Sequence, residues 1–114
     1  MTRIVTIEKT GGPEVLEIKN VKLEKPSPEE VLIEHKAIGL NYIDTYHRSG
    51  LYPLRLPSGI GAEASGIVKA IGSKVKNFSI GDKIAYAGAP LGSYSDERNY
   101  PTKNLSNTAS GCMN

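Results

Sequence analysis

Ala37-Ile38-Gly39-Leu40-Asn41-Tyr42-Ile43-Asp44-Thr45-Tyr46-His47-Arg48-Ser49-Gly50-Leu51-Tyr52 is the stretch around which the chain is organised. An apolar strand pattern ends near Ile38, and Gly39 admits a sharp turn. Asn41 is a residue type that caps helices. Asp44, three residues on, places a carboxylate on the first turn, where the helix dipole favours it. Gly50 suits the left-handed position just past the end of a helix. The spacing predicts a short helix over residues 41–49. Asn41, Asp44, Tyr46, His47 and Tyr52 then gather at the end of an apolar element, as in small-molecule sites.

Upstream, Val31, Ile33, His35 and Ala37 share one strand face, and Leu32, Glu34, Lys36 and Ile38 share the other. Neither face is purely polar, which predicts a central strand. His35 reads as a strand histidine facing a neighbour or solvent, because no ligand partner stands nearby. Val5 and Ile7 alternate with polar residues, and Leu16 and Ile18 do the same beyond a Gly-Gly-Pro turn, which predicts a hairpin. The alternation changes phase at Asn20, so a bulge is expected there. Lys25-Pro26-Ser27-Pro28 is a loop.

Downstream, residues 51–60 are rich in Pro and Gly. Strand patterns recur at residues 64–71 and 83–87, joined through a connector anchored by Phe78, and a polar strand is expected within 94–100. Residues 106–114 lack any period and read as a disordered tail. The expected fold is mainly β: a partly closed barrel of about seven short strands with one or two short helices, in one domain over residues 1–105.

With 114 residues the chain has room for one domain with a modest core. A net charge of +2, spread without runs, argues against nucleic acid as a partner. Cys112 is the only cysteine, so it can form neither an internal disulfide nor a multi-cysteine zinc site, and a free thiol fits a reducing compartment. The first residues, Met-Thr-Arg-Ile-Val-Thr-Ile-Glu, carry charge where a signal peptide would be apolar. No apolar run approaches the ~20 residues of a membrane helix. A cytoplasmic protein is expected, with no membrane partner.

Four segments together resemble one family. Gly11-Gly12-Pro13-Glu14-Val15-Leu16 is similar to the first hairpin of the zinc-independent NADPH:quinone oxidoreductases, the zeta-crystallin-like branch of the medium-chain dehydrogenase/reductase superfamily. Residues 37–46, with Arg48-Ser49-Gly50-Leu51-Tyr52-Pro53, resemble that branch's active-site segment. Pro57-Ser58-Gly59-Ile60-Gly61-Ala62-Glu63-Ala64-Ser65-Gly66-Ile67-Val68, with Gly72 and Val75, resembles the superfamily's core strand pair. Gly81-Asp82-Lys83-Ile84 resembles its Gly-Asp-Arg-Val turn. The likeness runs from about residue 3 to residue 105. It implies the GroES-like catalytic domain and hydride transfer from NADPH to a quinone.

The resemblance also implies where the chemistry sits. In the zinc enzymes of the superfamily a Cys opens the active-site helix and a His precedes the core glutamate. Here those places fall on Asn41 and Ala62, which supply no thiolate or imidazole, so no metal is expected. His47 has no cysteine partner and is not expected to bind metal. Phenol and amide donors can then polarise the quinone oxygen. The resemblance implies that Asn41, Tyr46 and Tyr52 line the nicotinamide and quinone pocket, with Asp44 holding their geometry. It also implies that Glu63, without a metal, is structural. The alternative for the tyrosines is that Tyr46 packs on the core and Tyr52 anchors a loop.

Gly59-Ile60-Gly61-Ala62-Glu63-Ala64 fits the dinucleotide pattern Gly-x-Gly-x-x-Gly/Ala. The sequence that follows is strand-like rather than helical, so no phosphate loop is expected. Chains of the resembled family continue into a dinucleotide-binding Rossmann domain, which needs far more than the nine residues after Leu105. The expectation is therefore a truncated catalytic-domain fragment, weakly active or inactive alone, for which a separately encoded Rossmann half is a conceivable partner. Three alternatives stand beside it: an enone or enoyl-thioester reductase fragment, a non-enzymatic binding module, and a remnant without function.

Overall fold

A computed structural model describes residues 2–107. Eight strands, one α-helix and two 3-10 turns follow in order among these residues. They are β1 (Thr2–Ile7), β2 (Glu17–Val21), β3 (Glu30–Ile38), α1 (Tyr42–Ser49), β4 (Ser58–Gly59), β5 (Glu63–Ile71), β6 (Lys83–Ala87), β7 (Glu97–Pro101) and β8 (Ser106–Asn107). The 3-10 turns are Pro13–Val15 and Thr102–Asn104. The architecture is mainly β with one helix, as the sequence predicts.

The strands form two antiparallel sheets. The smaller has the order β2-β1-β4, and the larger β7-β3-β5-β6-β8. They join where β1 meets the residues before β7. Val5 N–H donates to the Tyr94 carbonyl at 2.9 Å, Asp96 N–H donates to the Arg3 carbonyl at 3.0 Å, and Ile4 bridges Ser95. This junction makes the barrel partly closed.

β3 is central, flanked by β5 and β7. Val31 and Ile33, on one face, are fully buried. They pack with Ala64 and Val68 of β5, Ile84 and Tyr86 of β6, Tyr100 of β7, and Phe78 from the connector. A smaller core under β1 gathers Ile7, Val15 and Ile60, with Leu54 and Tyr94 against it.

Two expectations need correction. The hairpin of β1 and β2 keeps an unbroken register from Thr2 opposite Val21 to Thr6 opposite Glu17, so no bulge stands at Asn20. The apparent phase change arose because Ile18 faces solvent, 72% exposed, and so does not mark the core face. The irregularities lie instead in β3 against β5, between Leu32 and Ile33 and between His35 and Ala37. A bulge bends its strand, and beyond it Ala37 and Ile38 are exposed. Secondly, Ser106 and Asn107, placed by the sequence in a disordered tail, pair with Ala85 and Ile84 as β8. Residues 108–114 of that expected tail lie outside the described residues.

Candidate functional site

The end of β3 delivers the chain to α1 as expected. Asn41 is the N-cap in extended geometry, and Gly50 ends the helix in the left-handed region at φ +91°. At that angle a side chain would be strained, and Gly50 lets its N–H turn back to the Tyr46 carbonyl at 3.1 Å. Asp44 occupies the third helical position. Its Oδ2 accepts the backbone N–H of Asn41 at 3.1 Å, the reciprocal half of a capping box.

Asp44 is 4% exposed, which is unusual for a carboxylate. A second donor accounts for it. The Tyr94 hydroxyl donates to the same Oδ2 at 2.5 Å. Burial, the hydrogen bond to Asp44 and the Asp44 charge together push the Tyr94 phenol well above its usual range, so it remains a protonated donor. Oδ1 has no hydrogen-bond partner among the described residues.

Asn41, Asp44, Thr45 and Arg48 fall on one side of α1 and line a hollow of about 400 Å³ together with Leu16, Leu40, Tyr42, Ile60 and Tyr94. Its wall is largely apolar, and Asn41 is among the residues that line it. Tyr46 and Tyr52 do not line this hollow. They pair with each other, ring centroids 5.4 Å apart in an edge-to-face arrangement, and the Tyr52 N–H donates to the Tyr46 carbonyl at 3.2 Å. Both rings stay substantially exposed. The structure thus brings Asn41 to Asp44, and Tyr46 to Tyr52, as two clusters carried by the same helix and the turn after it. Sequence reasoning missed Tyr94, which stands 50 residues from Asp44 with no local signal of the contact.

His35 lies apart from both clusters. Its Nδ1 is 2.8 Å from the Ser95 carbonyl, which can only accept, so Nδ1 carries the proton and Nε2 accepts from the Tyr86 hydroxyl at 2.7 Å. Burial, with help from the nearby Arg98, lowers the His35 pKa. The Tyr86 ring stacks on Tyr100 at 4.1 Å, and Arg98 lies over both. This is a bonded structural histidine, as the sequence suggested. His47 packs its ring near Tyr52, at 6.2 Å. The Glu63 side chain lies over Gly39, and a Cβ there would have to displace it. The glycine-rich segment runs from β4 into β5, a strand, so it lacks the helix that a phosphate-binding loop requires. Among the described residues no three His, Cys, Asp or Glu side chains gather as a metal site, and no helix is long and apolar enough to cross a membrane.

Comparison with known proteins places this geometry in a family. Residues 27–113 match the alcohol dehydrogenase GroES-like domain. The chain is 52% identical over 97 residues to the quinone oxidoreductase of Pseudomonas aeruginosa, covering 84% of this chain and 30% of that protein. It is 49% identical over 100 residues to quinone oxidoreductase 1 of Escherichia coli, covering 87% and 31%. Among solved structures, the Pseudomonas syringae quinone oxidoreductase superposes with a TM-score of 0.88 at 49% identity, over 94% of this chain and 33% of that one. The Escherichia coli quinone oxidoreductase complexed with NADPH gives 0.88 at 46% identity, over the same shares. The chain spans about a third of the length of these relatives. It belongs to the alcohol dehydrogenase GroES-like domain family.

Proposed function

We propose that the chain supplies the catalytic-domain part of a zinc-independent quinone reductase that takes a hydride from NADPH to a quinone. The observation that supports this most is the cluster at the start of α1, carried on a chain 46% identical to an enzyme solved with NADPH. The residues present fit the ring end of a nicotinamide. Asn41 offers an exposed amide, able both to donate and to accept, beside the exposed apolar side chains of Leu40 and Tyr42. By the family resemblance, Asn41 and Ala62 stand where the zinc enzymes place Cys and His, and amide and phenol donors then take over the polarisation of the substrate oxygen.

NADPH, when bound, supplies the hydride. Asn41 orients the bound ring through its side-chain amide. Tyr52 and Tyr46, both substantially exposed, offer hydroxyl hydrogen bonds to the oxygen on which charge develops. Asp44 takes no proton in this scheme; it fixes the Asn41 backbone through Oδ2.

Among the described residues the Gly59–Ala64 glycine pattern runs into β5, a strand, and opens no helix on which a dinucleotide's phosphates would rest. We therefore infer that these residues by themselves bind NADPH weakly and turn over little, and that a dinucleotide-binding half supplied with them restores both. A cytoplasmic setting fits the lone Cys112.

Calorimetric titration with NADPH, paired with benzoquinone reduction, tests this. The expected affinity is on the order of millimolar. Turnover should rise when the dinucleotide-binding half of a quinone oxidoreductase is supplied in trans, and fall in Asn41→Ala and Tyr52→Phe. Binding and turnover absent under both conditions would refute the proposal.

One observation favours a second reading. The chain is 38% identical over 109 residues to a 2-haloacrylate reductase from a Burkholderia species. Reduction of an activated alkene needs the same hydride and the same polarised oxygen. Faster turnover of 2-chloroacrylate than of benzoquinone would select it.

A further inference from the structure

We infer that Tyr94 is a positioning residue for Asn41, acting through the Asp44 carboxylate. The inference rests on the reading that Asn41 meets the bound ring, and it adds a residue that neither local sequence nor helix spacing reveals.

Tyr94 is itself held on both sides of its backbone. Its N–H donates to the Ile60 carbonyl at 3.0 Å, and its carbonyl accepts from Val5 N–H at 2.9 Å. These bonds pin the residue where the two sheets join, and its ring packs on the smaller core. From that anchor the hydroxyl reaches Asp44 Oδ2 at 2.5 Å. The same oxygen holds the Asn41 N–H at 3.1 Å. A continuous path of hydrogen bonds therefore runs from β1 through Tyr94 and Asp44 to the residue that opens α1.

Two features make this path specific. Asp44 Oδ1 has no partner among the described residues, and the Asn41 N–H and the Tyr94 hydroxyl both bond Oδ2. Removing the phenol leaves the Asn41 N–H as the one hydrogen bond to that carboxylate among the described residues. Tyr94 also walls the hollow beside Asn41, so the ring that orients the carboxylate limits what can lie against the amide.

The test uses Tyr94→Phe in the full chain, with amide exchange followed by NMR and no ligand present. Asn41 N–H is expected to exchange roughly tenfold faster, since a hydrogen bond to a charged group contributes on the order of one power of ten. Val5 N–H, bonded to the backbone of Tyr94, is expected to keep its protection. Unchanged exchange at Asn41 overturns the inference. Equal acceleration at Asn41 and Val5 also overturns it, because Tyr94 would then serve general packing.

Should Tyr94→Phe fail to fold, the wild-type chain still decides. The Tyr94 ring-carbon resonance should keep its phenol value through the usual tyrosine range at about 10, and ionisation within that range overturns the inference. Loss of the NADPH response at Asn41 in the wild type would remove the cofactor assignment alone. The Tyr94 link is read at the Asn41 amide without any ligand.

Discussion

The interior around His35 and the start of α1 treat their polar groups in opposite ways. In the larger sheet, His35, Tyr86, Arg98 and Tyr100 form a bonded and stacked interior in which both His35 ring nitrogens are satisfied. Beside the smaller sheet, Asp44 is buried with one oxygen unpartnered among the described residues. Leu40 and Tyr42 are exposed around a hollow, and Tyr46 and Tyr52 pair at the surface. The first region is built for packing. The second keeps polar groups and apolar surface available, which suits a site that must receive a flat ring.

The sharpest way to break this contrast is to truncate a side chain in each region. Tyr100→Ala removes a fully buried ring together with its hydrogen bond to the Ala89 carbonyl. A loss of about 3–5 kcal/mol is expected in urea denaturation. Tyr42→Ala, at a position 83% exposed, should stay within about 0.5 kcal/mol of wild type. Similar costs at the two positions would erase the distinction.

Asp44→Ala lies between these limits. It strips the acceptor from Asn41 N–H and from the Tyr94 hydroxyl, and should cost about 1–3 kcal/mol. Asp44→Asn keeps an acceptor and should cost less. An unchanged denaturation midpoint in Asp44→Ala would show that the carboxylate is not held as described.

Acid should weaken the packing region through His35. Its folded pKa is lowered, chiefly by burial, below the ordinary 6.5. As pH falls below about 6.5 the unfolded chain takes up this proton first. Stability is thus fully present above that value and declines as pH falls toward the folded pKa. A pH series of denaturation midpoints should show this slope, and His35→Gln should flatten it. The smallest effect belongs to Ile18→Ser on the exposed face of β2, where a change within about 0.5 kcal/mol is expected.

Much of this was legible where the signal is local. Asn41, Asp44 and Gly50 announce a capped helix through chemistry contained in ten residues, and the helix stands there. Two-faced apolar alternation marked β3 as central. What depends on distant partners was hidden. Nothing near Tyr94 indicates that its hydroxyl meets Asp44, and Ile18 misled the register because an apolar residue need not face a core. Asp44 and Tyr46 are close in sequence, yet residues two apart on a helix do not share a face. That rule anticipates the division of the site into a hollow-side cluster and an aromatic pair.

The most direct test of the central claim, that the start of α1 receives the nicotinamide ring, is an amide chemical-shift map of the full chain titrated with NADPH. The account predicts saturable shifts concentrated at Asn41, Tyr46 and Tyr52, with the interior around His35 and Tyr100 unmoved. Shifts spread over the larger sheet, or none at Asn41 at saturating NADPH, would contradict it.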